Sequence, residues 1–275
     1  RVVVNDLGVA LDGTDGGDAP AQQVVDAIVD SGGTAIASGA DVADFGAAEE
    51  LVTQAIDTYG KLDVLVNVAG ILRDRMVFNM SEEEWDSVVR VHLKGTFNTI
   101  RHASAYWRRQ RDTEGHYRII NFTSSSGLHG APGQPNYAAA KMGIVGLTYS
   151  CANGLAPYGV TANAISPGAA TRMTESIPDD RRRAGPRGED ERSPDNVAPA
   201  VAYLASTRSA WCTGQVISAR GYAIGLYNVP AIVRQVVSAG PWDLETAARM
   251  IESSFRPAVG APGRPAASAP PGGAA

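Results

Sequence analysis

Ile119-Ile120-Asn121-Phe122-Thr123-Ser124-Ser125-Ser126-Gly127 is the stretch that decides how this chain folds. Ile119 to Phe122 predict a buried strand, and the hydroxyl run directly after it predicts a turn at the strand's carboxyl end. A loop carrying Gly130, Gly133 and Pro135 leads into Tyr137-Ala138-Ala139-Ala140-Lys141, near the start of a helix predicted from about Asn136 to Ala156. The same alternation extends outward in both directions. Toward the amino end, Val2 to Val4 form a run apolar enough for a strand buried on both faces. Val24, Val25, Ile28 and Val29 recur at helical spacing until Gly32-Gly33, and Thr34 to Ala37 make a short strand. Asp44 can cap a helix whose inner face is Leu51, Val52, Ala55, Ile56 and Tyr59, and Gly60 ends it before the strand of Leu62, Val64, Leu65 and Val66. Ser81-Glu82-Glu83-Glu84 reads as a capping box opening a long helix past Trp85 and His92. Toward the carboxyl end come a strand at Val160 to Ile165, a helix at Val197 to Leu204 and a last strand at Val216 to Ser218. Strands alternating with amphipathic helices predict an α/β fold: a doubly wound parallel sheet in three layers, α/β/α.

The chain has 275 residues, enough for a large core, with apolar and charged fractions of 44% and 19% that are ordinary for a globular protein. We expect a single domain over residues 1–256 and a disordered Ala/Pro/Gly tail over 257–275, which carries too few large apolar side chains to offset its ordering entropy. A net charge of -5 argues against a nucleic-acid partner, which calls for a strongly basic surface. No apolar run is long enough to cross a bilayer, so no membrane partner is expected. Cys151 and Cys212 show neither metal-ligand spacing nor a disulfide framework. No metal is expected, and a reducing, cytoplasmic location fits.

Tyr137 and Lys141 stand four residues apart, on one face of a helix. A phenol is a poor base at neutral pH, but a cation held close favours the phenolate. Tyr137 could then move a proton to or from a substrate oxygen. Ser124 sits where carboxyl ends of strands face the ligand crevice of a doubly wound sheet, and the loop can fold its hydroxyl beside that of Tyr137. Ser125 and Ser126 read as turn or cap residues.

In these residues the chain resembles the short-chain dehydrogenase/reductase family. The likeness rests on Asp6, Asn67-Val68-Ala69-Gly70, Ser124, Tyr137-x-x-x-Lys141 and Pro167-Gly168, in family order, and reaches to about Gly221. It implies a Rossmann-type fold and nicotinamide-dependent redox of an alcohol/carbonyl pair on a small-molecule substrate. Ser124 would orient the carbonyl oxygen, Tyr137 would act as acid and base, and Lys141 would hold the nicotinamide ribose and depress the tyrosine pKa. Asp41 and Val42 match the family's adenine-edge contact, Asn67, Ala69 and Gly70 its cofactor-backing segment, and Pro167, Gly168 and Thr171 the segment beside the nicotinamide. Val4-Asn5-Asp6-Leu7-Gly8, Ala69 to Arg75, Val91-His92-Leu93-Lys94-Gly95, Gly133 to Tyr137 and Ala231 to Arg234 are similar to one branch. This is the (3R)-hydroxyacyl-CoA dehydrogenase unit of the type 2 peroxisomal multifunctional enzyme and its stand-alone bacterial relatives. That branch implies a 3-hydroxyacyl thioester as substrate, and the family implies a homo-oligomer.

Asp6, at the end of the first strand, suits the ribose hydroxyls of NAD and repels the 2′-phosphate of NADP, so NAD is the expected cofactor. The Gly-rich phosphate fingerprint should lie about 20 residues before such an acid. Gly13 to Gly17 follow the acid and read as a surface loop, so the chain is expected to lack its first strand and phosphate loop, as an amino-terminally truncated domain would. That strand lies mid-sheet in the order 3-2-1-4-5-6, and its neighbours should therefore lack backbone partners. His92 stands where most of the family has a catalytic Asn and could hold a proton-relay water. Val68 replaces an Asn, Arg220 stands where many relatives have Gly, and the charged segment 179–194 occupies the family's substrate lid. Three readings stay open: an NAD-dependent dehydrogenase of 3-hydroxyacyl-CoA-like alcohols, a reductase of a 3-oxoacyl-carrier or steroid or terpenoid ketone, and an inactive truncated scaffold.

Overall fold

The structure, a computed structural model, describes residues 1–8, 19–169, 191 and 193–259. It divides into two compact units, Arg1–Tyr227 and Asn228–Ala275. The first unit holds strands β1 (Val2–Asn5), β2 (Ala35–Ser38), β3 (Val64–Asn67), β4 (Tyr117–Phe122), β5 (Val160–Gly168), β6 (Val216–Arg220) and β7 (Ala223–Leu226). Between them run helices α1 (Ala19–Asp30), α2 (Phe45–Tyr59), α3 (Glu82–Val89), α4 (Gly95–Gln110), α5 (Ser125–His129), α6 (Pro135–Leu155) and α7 (Ala198–Ala205). In the second unit, α8 (Leu244–Phe255) begins on an Asp243 side chain that accepts from the Thr246 N–H.

The strands from β3 to β6 pair in parallel in the order β3-β4-β5-β6. Alternate residues of a strand point to opposite faces, and β4 shows what each face is for. Ile119 packs with Ile100, Ala103 and Trp107 of α4 and Cys151 and Ala152 of α6. Its neighbour Ile120 packs with Ala200 and Leu204 of α7. Both isoleucines are fully buried, which fixes the register of the central strand and gives the three layers expected from the alternation. Parallel pairing sends the carboxyl ends of β3, β4, β5 and β6 to one edge of the sheet, where a doubly wound fold binds its ligands.

Val216 to Ser218 was expected to be the last strand. In the structure the chain turns after Arg220 and returns as β7, antiparallel to β6 with Ala219 opposite Ile224. Gly221, with φ at +56°, makes that reversal in a backbone region open to glycine. Ile224 and Leu226 are exposed, so they lacked the buried-face pattern that marks a strand in a sequence.

At the other edge, β1 pairs in parallel with β2 alone among the described residues, and β3 with β4 alone. Each leaves one row of backbone donors and acceptors without a strand partner among the described residues. A cavity of about 750 Å³ opens there, lined by Val2, Val3, Val64, Leu65 and Val66 among others. The glycine-bearing loop 13–17, Thr171, most of the segment 179–194 and residues 260–275 lie outside the described residues.

Candidate active site

The long helix expected through Trp85 and His92 is α3 and α4 joined by one turn of π-helix, Arg90–Lys94. The capping box is present: Ser81 accepts from the Glu84 N–H, and the Glu84 side chain accepts from the Ser81 N–H at 2.9 Å. The wider turn places His92 inward, where it is buried. Its Nε2 lies 2.8 Å from the Ile71 carbonyl and 3.0 Å from the Ile71 N–H. The ring meets Tyr137 edge-on, with centroids 5.1 Å apart. Gly70 is required by this packing, because a Cβ on it would collide with His92 Cε1.

Ser124 caps the short helix α5, its Oγ accepting from the Ser126 N–H at 3.1 Å. The same hydroxyl lies close enough to the Tyr137 hydroxyl to favour its ionised form, so strand end and helix start converge. Lys141 is buried one turn further along α6 and donates from Nζ to the Phe122 carbonyl at 2.7 Å. Close contact between α5 and α6 brings it there: a Cβ on Gly127 would lie 2.8 Å from that of Lys141. Thr123 Oγ1 donates to the Lys141 carbonyl at 2.8 Å and ties the two elements a second time.

Burial dominates the electrostatics of these groups. It lowers the Lys141 ammonium to about 7. It lowers His92 to about 3, aided by the nearby Lys141 charge and opposed by the Ile71 backbone bond, so the imidazole is neutral at physiological pH. The Tyr137 phenol is pushed up by burial; the Ser124 hydrogen bond works against that rise, and the Asp74 carboxylate adds to it. The sequence led us to expect Lys141 to depress the tyrosine pKa. Instead its Nζ stands 5.6 Å from the Tyr137 ring centroid and is held by a carbonyl. A buried ammonium must find an acceptor, and Phe122 supplies the near one.

The expected cofactor residues are arranged along the same edge. Asp6 is exposed just beyond β1, and its Oδ1 accepts from the Gly8 N–H at 2.8 Å. Asp41 takes the Ala43 N–H at 2.8 Å and pairs with Arg90 at 2.7 Å, while Val42 faces the cavity. Asn67 is tied into a relay in which Thr99 donates to it at 2.7 Å and it donates to Asn121 at 3.0 Å; Asn121 in turn donates to Thr148 at 2.9 Å. Its side chain fixes the ends of β3 and β4, leaving Val68, Ala69 and Gly70 to present backbone. Val68 is 56% exposed where an Asn was the family norm. Pro167 and Gly168 end β5, opposite Ala219 and Arg220, and the Arg220 stem packs where a Gly168 Cβ would stand.

A nicotinamide cofactor fits the described part of this edge. Among the described residues Lys141 donates once, to Phe122, and Asp6 accepts through one carboxylate oxygen, which leaves two donors and one acceptor oxygen that would suit ribose hydroxyls. The cavity at the split sheet is lined by Asn67, Val68 and Ala69 but not by Ser124, Tyr137 or Lys141.

The profile of the family described as Enoyl-(Acyl carrier protein) reductase matches residues 4–221. The chain belongs to the short-chain dehydrogenase/reductase family. It is 43% identical over 251 residues to hydroxyacyl-CoA dehydrogenase ChsB1 of Mycobacterium tuberculosis, covering 88% of this chain and 76% of that protein. To the peroxisomal multifunctional enzyme type 2 of Drosophila melanogaster it is 41% identical over 233 residues, which are 83% of this chain and 36% of that larger protein. The crystal structure of a short chain dehydrogenase from Mycobacterium avium superposes with a TM-score of 0.79 at 43% identity, covering 93% of this chain and 86% of that one. The family is one of oxidoreductases acting on CH–OH groups of small molecules with nicotinamide cofactors, and the hydroxyacyl-CoA branch expected from the motifs is where the likeness is strong. Among the described residues, no helix is long and apolar enough to cross a membrane.

Residue-by-residue reading missed Asn136, which is fully buried beside the tyrosine, and Asp74, whose raised pKa reflects burial. Asn136 had one signal: an amide placed directly before Tyr137, at the start of a helix.

Proposed function

We propose that the protein is an NAD-dependent dehydrogenase of a 3-hydroxyacyl-CoA-like substrate. The observation that carries the reading is the Ser124–Tyr137 hydroxyl pair with the buried Lys141 one turn away. When bound, the cofactor would accept the hydride from the carbinol carbon. Ser124 holds the substrate oxygen in place. Tyr137, once ionised to the phenolate by loss of its own proton to solvent, takes the hydroxyl proton as the carbonyl forms, and as the phenol it gives that proton back in the reverse direction. Lys141 binds the nicotinamide ribose with the donors that Phe122 leaves free. His92 stays neutral and supports the Gly70–Ile71 backbone, which fits a positioning role better than proton carriage.

The exposed Asp6 carboxylate supports NAD over NADP, because a 2′-phosphate beside it would meet like charge. The likeness to a hydroxyacyl-CoA dehydrogenase supports the thioester substrate. A cytoplasmic homo-oligomer completes the reading, supported by the family resemblance and by two free, buried cysteines suited to a reducing compartment.

The test follows NADH absorbance with the full-length protein against a panel of 3-hydroxyacyl-CoAs and hydroxysteroids, each with NAD and with NADP. The highest kcat/KM is expected for a hydroxyacyl-CoA with NAD. A preference for steroids would move the protein to the steroid reading, a preference for NADP would overturn the role of Asp6, and no turnover with any pair would favour the inactive scaffold.

A further inference from the structure

Asn136 precedes the reacting tyrosine and takes no part in the chemistry above, yet its side chain is completely buried. Its Nδ2 donates to two carbonyls far away in sequence, Arg73 at 2.9 Å and Glu84 at 2.8 Å. Its Oδ1 accepts from the Tyr137 N–H at 2.8 Å. These bonds join three segments: the loop after β3, the first turn of α3 and the first turn of α6.

The chemistry of helix starts explains why an amide is needed. The first four N–H groups of a helix have no partner within it. Pro135, at the first position of α6, has no N–H to satisfy. Tyr137 has one, and Asn136 takes it. Neighbouring bonds lie on the same seam: the Arg75 N–H donates to the Gly133 carbonyl at 2.7 Å, and Gln134 donates to Asp74 at 2.8 Å. Arg75 also grips Glu84 at 2.8 Å. Asn136 is the member of this seam that bonds directly to the backbone of Tyr137. An aspartate there would turn a carboxylate toward two carbonyl oxygens. An alanine would remove all three bonds at a position that is itself fully buried.

We propose that Asn136 is a positioning residue for Tyr137: its amide clamps the start of α6 to the β3 loop and α3, and so sets where the phenol oxygen stands against Ser124. The proposal rests on Tyr137 being the proton-transfer residue. A misplacement of about 1 Å in a reacting group costs about 10²-fold in rate, so loss of this clamp should be read in kcat.

Full-length Asn136→Ala and the isosteric Asn136→Asp are compared with Tyr137→Phe, all at a temperature where near-ultraviolet circular dichroism reports folded protein. Asn136→Ala should lower kcat by about 10²-fold while the dissociation constant for NAD holds. Asn136→Asp should regain activity relative to wild type as pH falls, since a protonated carboxyl can donate to one of the two carbonyls. Wild-type kcat in a folded Asn136 variant that merely melts lower would overturn the proposal, and so would failure of both variants to fold, because the amide would then be purely structural. Full activity of Tyr137→Phe would instead defeat the site reading itself, whatever the Asn136 variants do.

Discussion

The segment from β4 to α6 and the gap between β1 and β3 are built on opposite terms. In the first, a strand, a turn and a helix contiguous in sequence close on one another through Thr123, Lys141 and Gly127. Its three candidate reacting side chains are all held within that unit. In the second, two strands face a cavity of about 750 Å³ with bare edges, and Val66 and Val68 are 40% and 56% exposed. Proton transfer needs a few side chains fixed to fractions of an ångström, which local chain closure can supply. Cofactor binding needs an extended surface, which depends on pairing across the sheet. The candidate proton-transfer side chains are therefore held in one closed unit, while the expected cofactor contacts are spread over Asp6, Asp41 and the β3 loop.

Breaking the first region should have the largest effect. Lys141→Met should cost about 10²- to 10⁴-fold in kcat/KM, the range for a positioned proton-transfer system. The pH profile sharpens this. Burial lowers the Lys141 pKa to about 7, so the free protein loses that cation as pH rises past 7. In the ketone-reducing direction kcat/KM, which reports free-enzyme groups, should fall above about pH 7. Lys141→Arg keeps its charge throughout and should lack that limb, whatever its residual rate.

The second region should respond in affinity and not in fold. Asp6→Ala removes hydrogen bonds from a charged acceptor, worth about 1.5–3 kcal/mol, so the dissociation constant for NAD measured by titration should rise by about tenfold or more while that for NADP changes less. Because the carboxylate is exposed, the thermal midpoint should hold.

The smallest effect falls where the regions meet. Gly70→Ala would put a methyl into the His92 ring, and overpacking of this kind costs about 1–3 kcal/mol. The thermal midpoint should drop by about 2–4 °C for each kcal/mol. An unchanged midpoint would mean that the β3 loop is not packed against His92 as described.

The same contrast governs what the sequence made legible. Buried alternation revealed β3 to β6, and the Asp44 and Ser81 caps and Gly60 marked helix ends correctly, because each is a local signal. β7 was not foreseeable, since Ile224 and Leu226 face solvent and its pairing is set by the turn at Gly221. Nor was the Lys141–Phe122 bond: the i, i+4 spacing placed lysine and tyrosine on one face, but which acceptor a buried ammonium takes depends on the neighbouring strand's carbonyl. Asn136 stayed hidden for the same reason, with both its distant partners backbone atoms of residues 63 and 52 positions away.

The central claim is that Tyr137 transfers the proton. Single-turnover NADH absorbance, with the full-length protein saturated in cofactor and substrate, tests it in wild type and Tyr137→Phe. The account predicts a hydride-transfer rate about 10³-fold or more lower in the variant, with the NAD dissociation constant unchanged; equal rates in the two proteins would contradict it.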